Sequence, residues 1–109
     1  MEKTVGIDGK DYQLVTNGAT PRVYRGMFKK DVFAGMANAV DQDGVILDFE
    51  VFENLAYCMA VQGGSVSTGT KIEEWLAEME DPLAIVHAAG DIMAMWVDEN
   101  ETTSTAKKE

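Results

Sequence analysis

The clearest candidate for chemistry in this sequence is an acidic loop at residues 39–50. Five residues match the spacing of a calcium-binding EF-hand loop, namely Asp41, Asp43, Gly44, Ile46 and Glu50. The first ligand position is Ala39, however, and Leu47 stands where a ligand or a ligand-bound water usually lies. The pattern therefore favours a turn followed by a capped helix over a calcium site, and a calcium titration followed by Trp fluorescence distinguishes them.

Three other features fail to complete a reactive site. His87 and Asp91 have the spacing at which two side chains meet on one helix face, which predicts a surface pair. With one His and one Cys, a subunit cannot assemble a zinc site of nitrogen and sulfur ligands. Cys58 lies in an apolar run without a basic neighbour, so we expect a core residue rather than a nucleophile. We predict no enzymatic activity, no metal site and no cofactor.

Charge divides the chain into two unequal parts. Residues 1–30 carry six basic and three acidic groups, whereas residues 31–101 carry one basic group and fifteen acidic ones. The net charge of −10 opposes binding to nucleic-acid phosphates, and it favours either a basic protein partner or plain solubility. Neither a signal peptide nor a run of about 18 apolar residues is visible. We expect a cytoplasmic protein that binds neither nucleic acid nor membrane.

Residues 3–15 have the pattern of a β-hairpin. Asp8-Gly9 is suited to a two-residue type I′ turn, because both central residues of that turn need positive φ angles. The turn would place four apolar side chains on one face, namely Val5, Ile7, Tyr12 and Leu14. A lone hairpin is marginally stable in water, so this face is expected to dock on the rest of the protein.

Helix-start signals then recur along the chain. The predicted N-caps are Thr20, Asp31, Asp48, Thr70 and Asp81. Proline follows the first and last of these, and Thr70 with Glu73 makes a capping box. The third helix is expected to continue to about Gln62, followed by a loop over residues 62–70.

The apolar spacing predicts which faces of the helices are buried. In the second helix the predicted apolar side consists of Val32, Phe33, Met36 and Val40. In the third helix it consists of Phe49, Phe52, Leu55, Ala56 and Met59, with Glu50, Glu53 and Asn54 facing away. The fifth helix, at about 82–98, is apolar on most of its circumference, so it is either central to the core or covered by a partner.

Together these elements predict an α+β fold that is mainly α. An N-terminal β-hairpin and four to five helices form a single domain over residues 1–98. Residues 99–109 change from acidic to basic and contain no apolar side chain larger than that of alanine, which is typical of a flexible, disordered C-terminal tail.

A series of motifs gives the chain a family likeness over most of residues 5–108. In chain order the motifs are IDGKDY at 7–12, TPRVYR at 20–25, KKDVF at 29–33, ENLAYCMA at 53–60, IEEWL at 72–76 and WVDEN at 96–100. The series resembles the tail assembly chaperones of long-tailed phages and prophages of Gram-positive bacteria. The length of the chain is also similar to theirs.

The resemblance implies a helper protein in virion assembly. Such chaperones bind the long, helical tape measure protein, keep it soluble and help to bring tail tube subunits to it. They act in the cytoplasm of the bacterial host and are absent from the mature virion. The alternatives are a structural tail component of the joining or terminator type, and, less favoured, a small calcium-responsive regulator.

Partner binding would follow the helix-in-groove mode, in which an apolar helix face lies in an apolar groove. Our candidate contact residues are Trp75, Met79, Met93 and Trp96, because Trp is enriched where binding energy concentrates and Met adapts to varied partners. The competing interpretation is that both Trp residues belong to the core. A homo-oligomer is also compatible with the hairpin edge and the apolar last helix.

Overall fold

A β-hairpin precedes five helices in residues 1–96, the part of the chain that the computed structural model describes. The strands are β1 (Glu2–Ile7) and β2 (Lys10–Val15), and the helices are α1 (Thr20–Phe28), α2 (Val32–Ala39), α3 (Phe49–Gln62), α4 (Ile72–Ala77) and α5 (Ala84–Ala94). The predicted fold class, α+β and mainly α, is confirmed. The predicted tail at 99–109 and the predicted end of the fifth helix lie outside the described residues.

The hairpin has the register and the buried face that the sequence predicts. Asp8 and Gly9 both have positive φ angles, 56° and 80°, and the strands pair from Ile7 opposite Lys10. Ile7 is 1% exposed and Leu14 is fully buried. These side chains reach the core because β1 packs against α5 and β2 packs against α3.

Asp8 also links the hairpin turn to Glu80 and Asp81, between α4 and α5. Its two carboxylate oxygens accept hydrogen bonds from the backbone N–H groups of Glu80 and Asp81, at 3.0 and 3.2 Å. Hydrogen bonds to an ionised acceptor are stronger than neutral ones. The turn therefore positions the connection between α4 and α5.

The central element of the core is α3. It packs against β2, α1, α2 and α5, and nine of its residues between Val51 and Ala60 are buried. By contrast, α5 is buried on one side only, through Ala84, Ile85, Ala88, Ala89 and Ile92. The apolar character that suggested a central fifth helix thus reflects small residues that pack closely on α3 and β1.

The loop after α3 is clamped to the outer edge of β2. The Ser65 hydroxyl accepts a hydrogen bond from the backbone N–H of Gln13 at 2.7 Å and donates one to its carbonyl at 3.1 Å. At Gly63 a Cβ would lie only 2.0 Å from the Gln13 carbonyl oxygen. Glycine is therefore required there by close approach of two backbones.

Two of the predicted helix caps are confirmed. The carboxylate of Asp31 accepts from the Phe33 N–H at 2.9 Å, and that of Asp48 accepts from the Glu50 N–H at 3.0 Å. Both residues have extended backbone angles and directly precede their helices. They begin α2 and α3, the two helices that carry the candidate surface described below.

The other three predicted helix starts are wrong by one or two residues. Ala19 is the N-cap of α1, and the hydroxyl of Thr20 instead accepts from the Asn17 N–H at 2.9 Å. The box at α4 is shifted by one residue, since the Lys71 N–H donates to the carboxylate of Glu74 rather than to a Thr70–Glu73 pair. Asp81 accepts from the Leu83 N–H at 2.9 Å, but the intervening turn delays α5 to Ala84.

The predicted faces of α2 and α3 also need correction at three positions. Phe33 and Phe49 are 57% and 51% exposed, because each occupies the first turn after its cap, on the solvent side. Asn54 is only 7% exposed, because α1, which carries the buried Tyr24, packs against α3. No helix within residues 1–96 is long and apolar enough to cross a membrane.

Candidate partner-binding surface

Four large apolar side chains lie exposed in one short stretch of the chain. Phe33, Val45, Leu47 and Phe49 are 57%, 55%, 63% and 51% exposed, and only Met1 and Leu83 are comparable within residues 1–96. Exposed apolar side chains that occur singly are ordinary, whereas a concentration of them marks an interaction site. With the acidic side chains Asp41, Asp43, Asp48 and Glu50, they are called the α2–α3 surface here.

A tight turn between α2 and α3 presents two of these side chains to solvent. One carboxylate oxygen of Asp41 accepts from the backbone N–H groups of Asp43 and Val45, both at 2.9 Å. Beyond the turn, Ile46 pairs with Val40 in an isolated antiparallel bridge and is half-buried. Because side chains alternate along extended backbone, Val45 and Leu47 point away from the core.

The same turn joins the end of α2 to the start of α3. The N–H of Leu47 donates to the carbonyl of Ala39, the last residue of α2, at 2.6 Å. Close packing continues between the helices, since a Cβ on Gly35 would touch Val51 at 3.4 Å. The exposed side chains of the α2–α3 surface are therefore carried by a well-supported backbone.

Phe33 extends this surface towards the end of α5. Its ring meets that of Trp96 edge to face, with centroids 6.0 Å apart and an interplanar angle of 81°. The two rings line a groove of about 370 Å³ together with Met1, Pro21 and Met95. The indole N–H of Trp96 donates to the sulfur of Met59 at 3.2 Å, which anchors the half-buried ring to the core.

The four residues predicted as partner contacts occupy different environments. Trp75 is 3% exposed and packs against Tyr12 and Tyr57, with centroid distances of 5.6 and 6.0 Å. It lines a different cavity from Trp96. Met79 and Met93 are partly buried against the core. Of the four, the structure places Trp96 beside the α2–α3 surface.

Sequence reasoning missed the exposed side chains because it assigned Phe33 and Phe49 to buried helix faces. The exposure of Phe49 could have been recognised from its position directly after the cap Asp48, because the first residue of an amphipathic helix need not lie on the buried face. For Val45 and Leu47 the signal is their alternation with Ile46 in an extended run.

The electrostatic environment of the surface is strongly acidic. No Lys, Arg or His occurs between residues 31 and 70, and Lys30 reaches Glu50 at 3.4 Å from outside that stretch. Both partners of that ion pair are more than 60% exposed, so it contributes little to stability. The pKa of Glu53 is raised, first by partial burial and then by the neighbouring charges of Glu50 and Asp48.

The other candidate reactive groups have structural surroundings. Cys58 is fully buried, and burial raises its pKa to about 11, which disfavours the nucleophilic thiolate. The predicted His87–Asp91 pair is wrong, because His87 Nδ1 lies 3.2 Å from Asp81 and Asp91 pairs with Lys3 at 3.5 Å. Among residues 1–96, no three His, Cys, Asp or Glu side chains are grouped to hold a metal ion.

Comparison of the chain with protein-family models, with curated proteins and with solved structures finds no match. Interpretation of the α2–α3 surface consequently depends on its own chemistry and on the motifs of the sequence.

Proposed function

We propose that this protein is an assembly chaperone of long-tailed phages or prophages, which binds the tape measure protein before it is built into a tail. The observation that carries the proposal is the α2–α3 surface, where apolar side chains at least half exposed lie among carboxylates. A domain that leaves several large apolar side chains exposed in one region is suited to covering the apolar side chains of another protein.

The apolar side chains and the carboxylates of the surface would have different roles in binding. Apolar side chains such as Leu47 and Phe49 would cover apolar seams of the unassembled tape measure protein, which removes both surfaces from water. The carboxylates beside them stay hydrated and give the complex a negative charge, which opposes aggregation. A chaperone that holds an unassembled protein has to cover the apolar side chains of that protein and keep the complex soluble.

The ordered motifs of the sequence supply the phage context of this proposal. They imply a role in the host cytoplasm, recruitment of tail tube subunits and absence from the mature virion. Self-association of the chaperone is compatible with this role. The deep burial of Cys58 and the exposed setting of the His87–Asp81 pair favour a binding protein over an enzyme.

Co-expression with the tape measure protein of the same phage tests the proposal. We expect the wild-type chain to increase the soluble fraction of the tape measure protein severalfold, and the double variant Val45→Ser with Leu47→Ser to lose that effect. Both side chains are exposed, so the variant should fold, which circular dichroism would check. Leu83→Ser is the matched control, because Leu83 is 48% exposed but precedes α5, away from this surface.

Two results would contradict the proposal. A tape measure protein that stays insoluble with wild-type chain present would remove the chaperone role. Recovery of the protein from purified virions in fixed stoichiometry would favour the structural tail component instead.

A further inference from the structure

We infer that the α2–α3 surface binds a basic, amphipathic α-helix of its partner, with apolar side chains along one face and Lys or Arg along its flanks. The inference rests on the proposed function in one respect, that this surface is where a partner binds. It goes further by assigning the chemistry and the secondary structure of the segment that is bound.

Charge complementarity selects a basic segment. The stretch from residue 31 to residue 62 contains six acidic residues and no basic one. Within residues 1–96, Asp43 and Asp48 take part in no ion pair, and both are exposed. A partner with Lys or Arg beside its apolar side chains would meet opposite charges at this surface, whereas an acidic partner would meet like charges.

The exposed apolar side chains are distributed along the direction of α2. Phe33 lies near the start of α2, and the backbone of Leu47 is hydrogen-bonded at 2.6 Å to Ala39, six positions after Phe33 at the end of that helix. At a rise of about 1.5 Å per residue, the backbone of Ala39 lies about 9 Å beyond that of Phe33 along the axis of α2. Positions i and i+7 of a partner helix are about 10.5 Å apart and face the same way.

The backbone of the surface disfavours the other common mode, in which a partner adds a strand. Strand addition needs a row of free N–H and C=O groups. Between α2 and α3, the N–H groups of Gly44, Leu47 and Asp48 donate to backbone carbonyls of this loop or of α2. Those of Asp43 and Val45 donate to the Asp41 carboxylate. A partner is therefore expected to bind here mainly through side chains, as a helix does.

The groove between Phe33 and Trp96 gives the bound helix an anchoring point. The groove has a volume of about 370 Å³, and Pro21, Phe33 and Trp96 offer apolar contacts to a large side chain of the partner, beside the polar residues Thr16 and Asn17. Trp96 is held in place by its hydrogen bond to Met59, so the groove is preorganised on that side. Preorganisation lowers the entropy lost on binding.

The test uses the full chain and a synthetic helical peptide with leucine along one face and lysine along the other. Two further peptides serve as probes, one with glutamate in place of lysine and one with the same composition scrambled to remove the apolar face. Fluorescence anisotropy of labelled peptide gives the dissociation constants. We expect the lysine peptide to bind at least about tenfold more tightly than either of the others.

Matched charge variants localise the binding. Asp43→Asn with Asp48→Asn removes two charges from the surface and retains an oxygen that can cap α3, so folding should be preserved. Glu73→Gln with Glu78→Gln removes two exposed charges near α4 instead. We expect the first pair to weaken binding by about tenfold and the second by about twofold or less, since only the first removes local complementarity.

The outcomes separate this inference from the proposed function. Equal weakening by the two charge variants, or equal binding of the lysine and scrambled peptides, would overturn the inference. If, in addition, wild-type chain keeps the tape measure protein soluble, the proposed function stands, and the variant Val45→Ser with Leu47→Ser shows whether this surface performs it. Specific peptide binding without any effect on the tape measure protein would retain the inference and remove the proposed partner.

Discussion

Replacement of Gly63 by Ala is expected to lower the free energy of unfolding by about 2–4 kcal/mol. The added Cβ would lie 2.0 Å from the carbonyl oxygen of Gln13 and 2.8 Å from its carbonyl carbon. Because both are backbone atoms, β2 or the loop has to move. Overpacking of this kind costs about 1–3 kcal/mol. Each hydrogen bond lost between Ser65 and Gln13 adds about 1 kcal/mol.

Gly90→Ala is the control, because it makes the same chemical change where space is open. A Cβ at Gly90 has no neighbour within 4 Å among the described residues, and the residue lies inside α5. Alanine lowers the conformational entropy of the unfolded chain, so this variant should gain about 0.5–1 kcal/mol. The two variants thus change stability in opposite directions.

Urea unfolding followed by Trp fluorescence and by circular dichroism measures both effects. For a domain of this size, 1 kcal/mol corresponds to about 4–8 °C in Tm, so thermal melts provide a second reading. A Gly63→Ala variant within about 0.5 kcal/mol of wild type would refute the argument from close approach. So would a loss at Gly90 as large as that at Gly63.

Three further predictions concern other parts of the molecule. Asp8→Ala should lower the free energy of unfolding in urea by about 2 kcal/mol, because the N–H groups of Glu80 and Asp81 lose a charged acceptor. Asp8→Asn keeps one acceptor and should lower it by less than half as much. Equal losses in the two variants would contradict this. Lys29→Gly should raise stability by about 0.5 kcal/mol in thermal melts, because Lys29 has a φ angle of 60° that glycine adopts without strain. A lower Tm in this variant would argue against backbone strain at Lys29. The pKa of Cys58 is raised from 9.0 to about 11 in the folded protein, so the native state holds the thiol proton more tightly than the unfolded state. Stability should therefore fall as pH rises from 9.0 through about 11, and the fall should be smaller in Cys58→Ala. An unchanged profile in that variant would show that other groups cause the fall.

Local signals in the sequence were sufficient for much of the fold. Asp8-Gly9 determines the hairpin turn by its backbone preferences, and Asp31 and Asp48 determine helix starts by their short acceptor side chains. At Thr20 and Thr70 the same kind of signal failed. The Thr20 hydroxyl accepts from the preceding Asn17 N–H, and Glu74 rather than Glu73 faces the start of α4.

The candidate surface was harder to predict because burial depends on contacts between distant elements. The apolar spacing of α3 indicates one buried face, but packing by β2, α1, α2 and α5 buries nearly its whole circumference, including Asn54. Phe33 has apolar neighbours in the sequence, yet its side chain meets that of Trp96, which lies 63 positions later in the chain. Composition and spacing could not distinguish the buried Trp75 from the half-buried Trp96. The difference arises from the packing of Tyr12 and Tyr57 against Trp75.

The packing of β1 on α5 has a consequence for how the chain is made. These two elements are the first and last of the described residues, so the hairpin emerges from the ribosome long before the helix that covers it. Until then Val5 and Ile7 have no permanent cover, and the core stays open on one side. Docking of α5 on β1 is therefore a late step of folding, and a nascent chain halted before Ala84 should remain protease-sensitive.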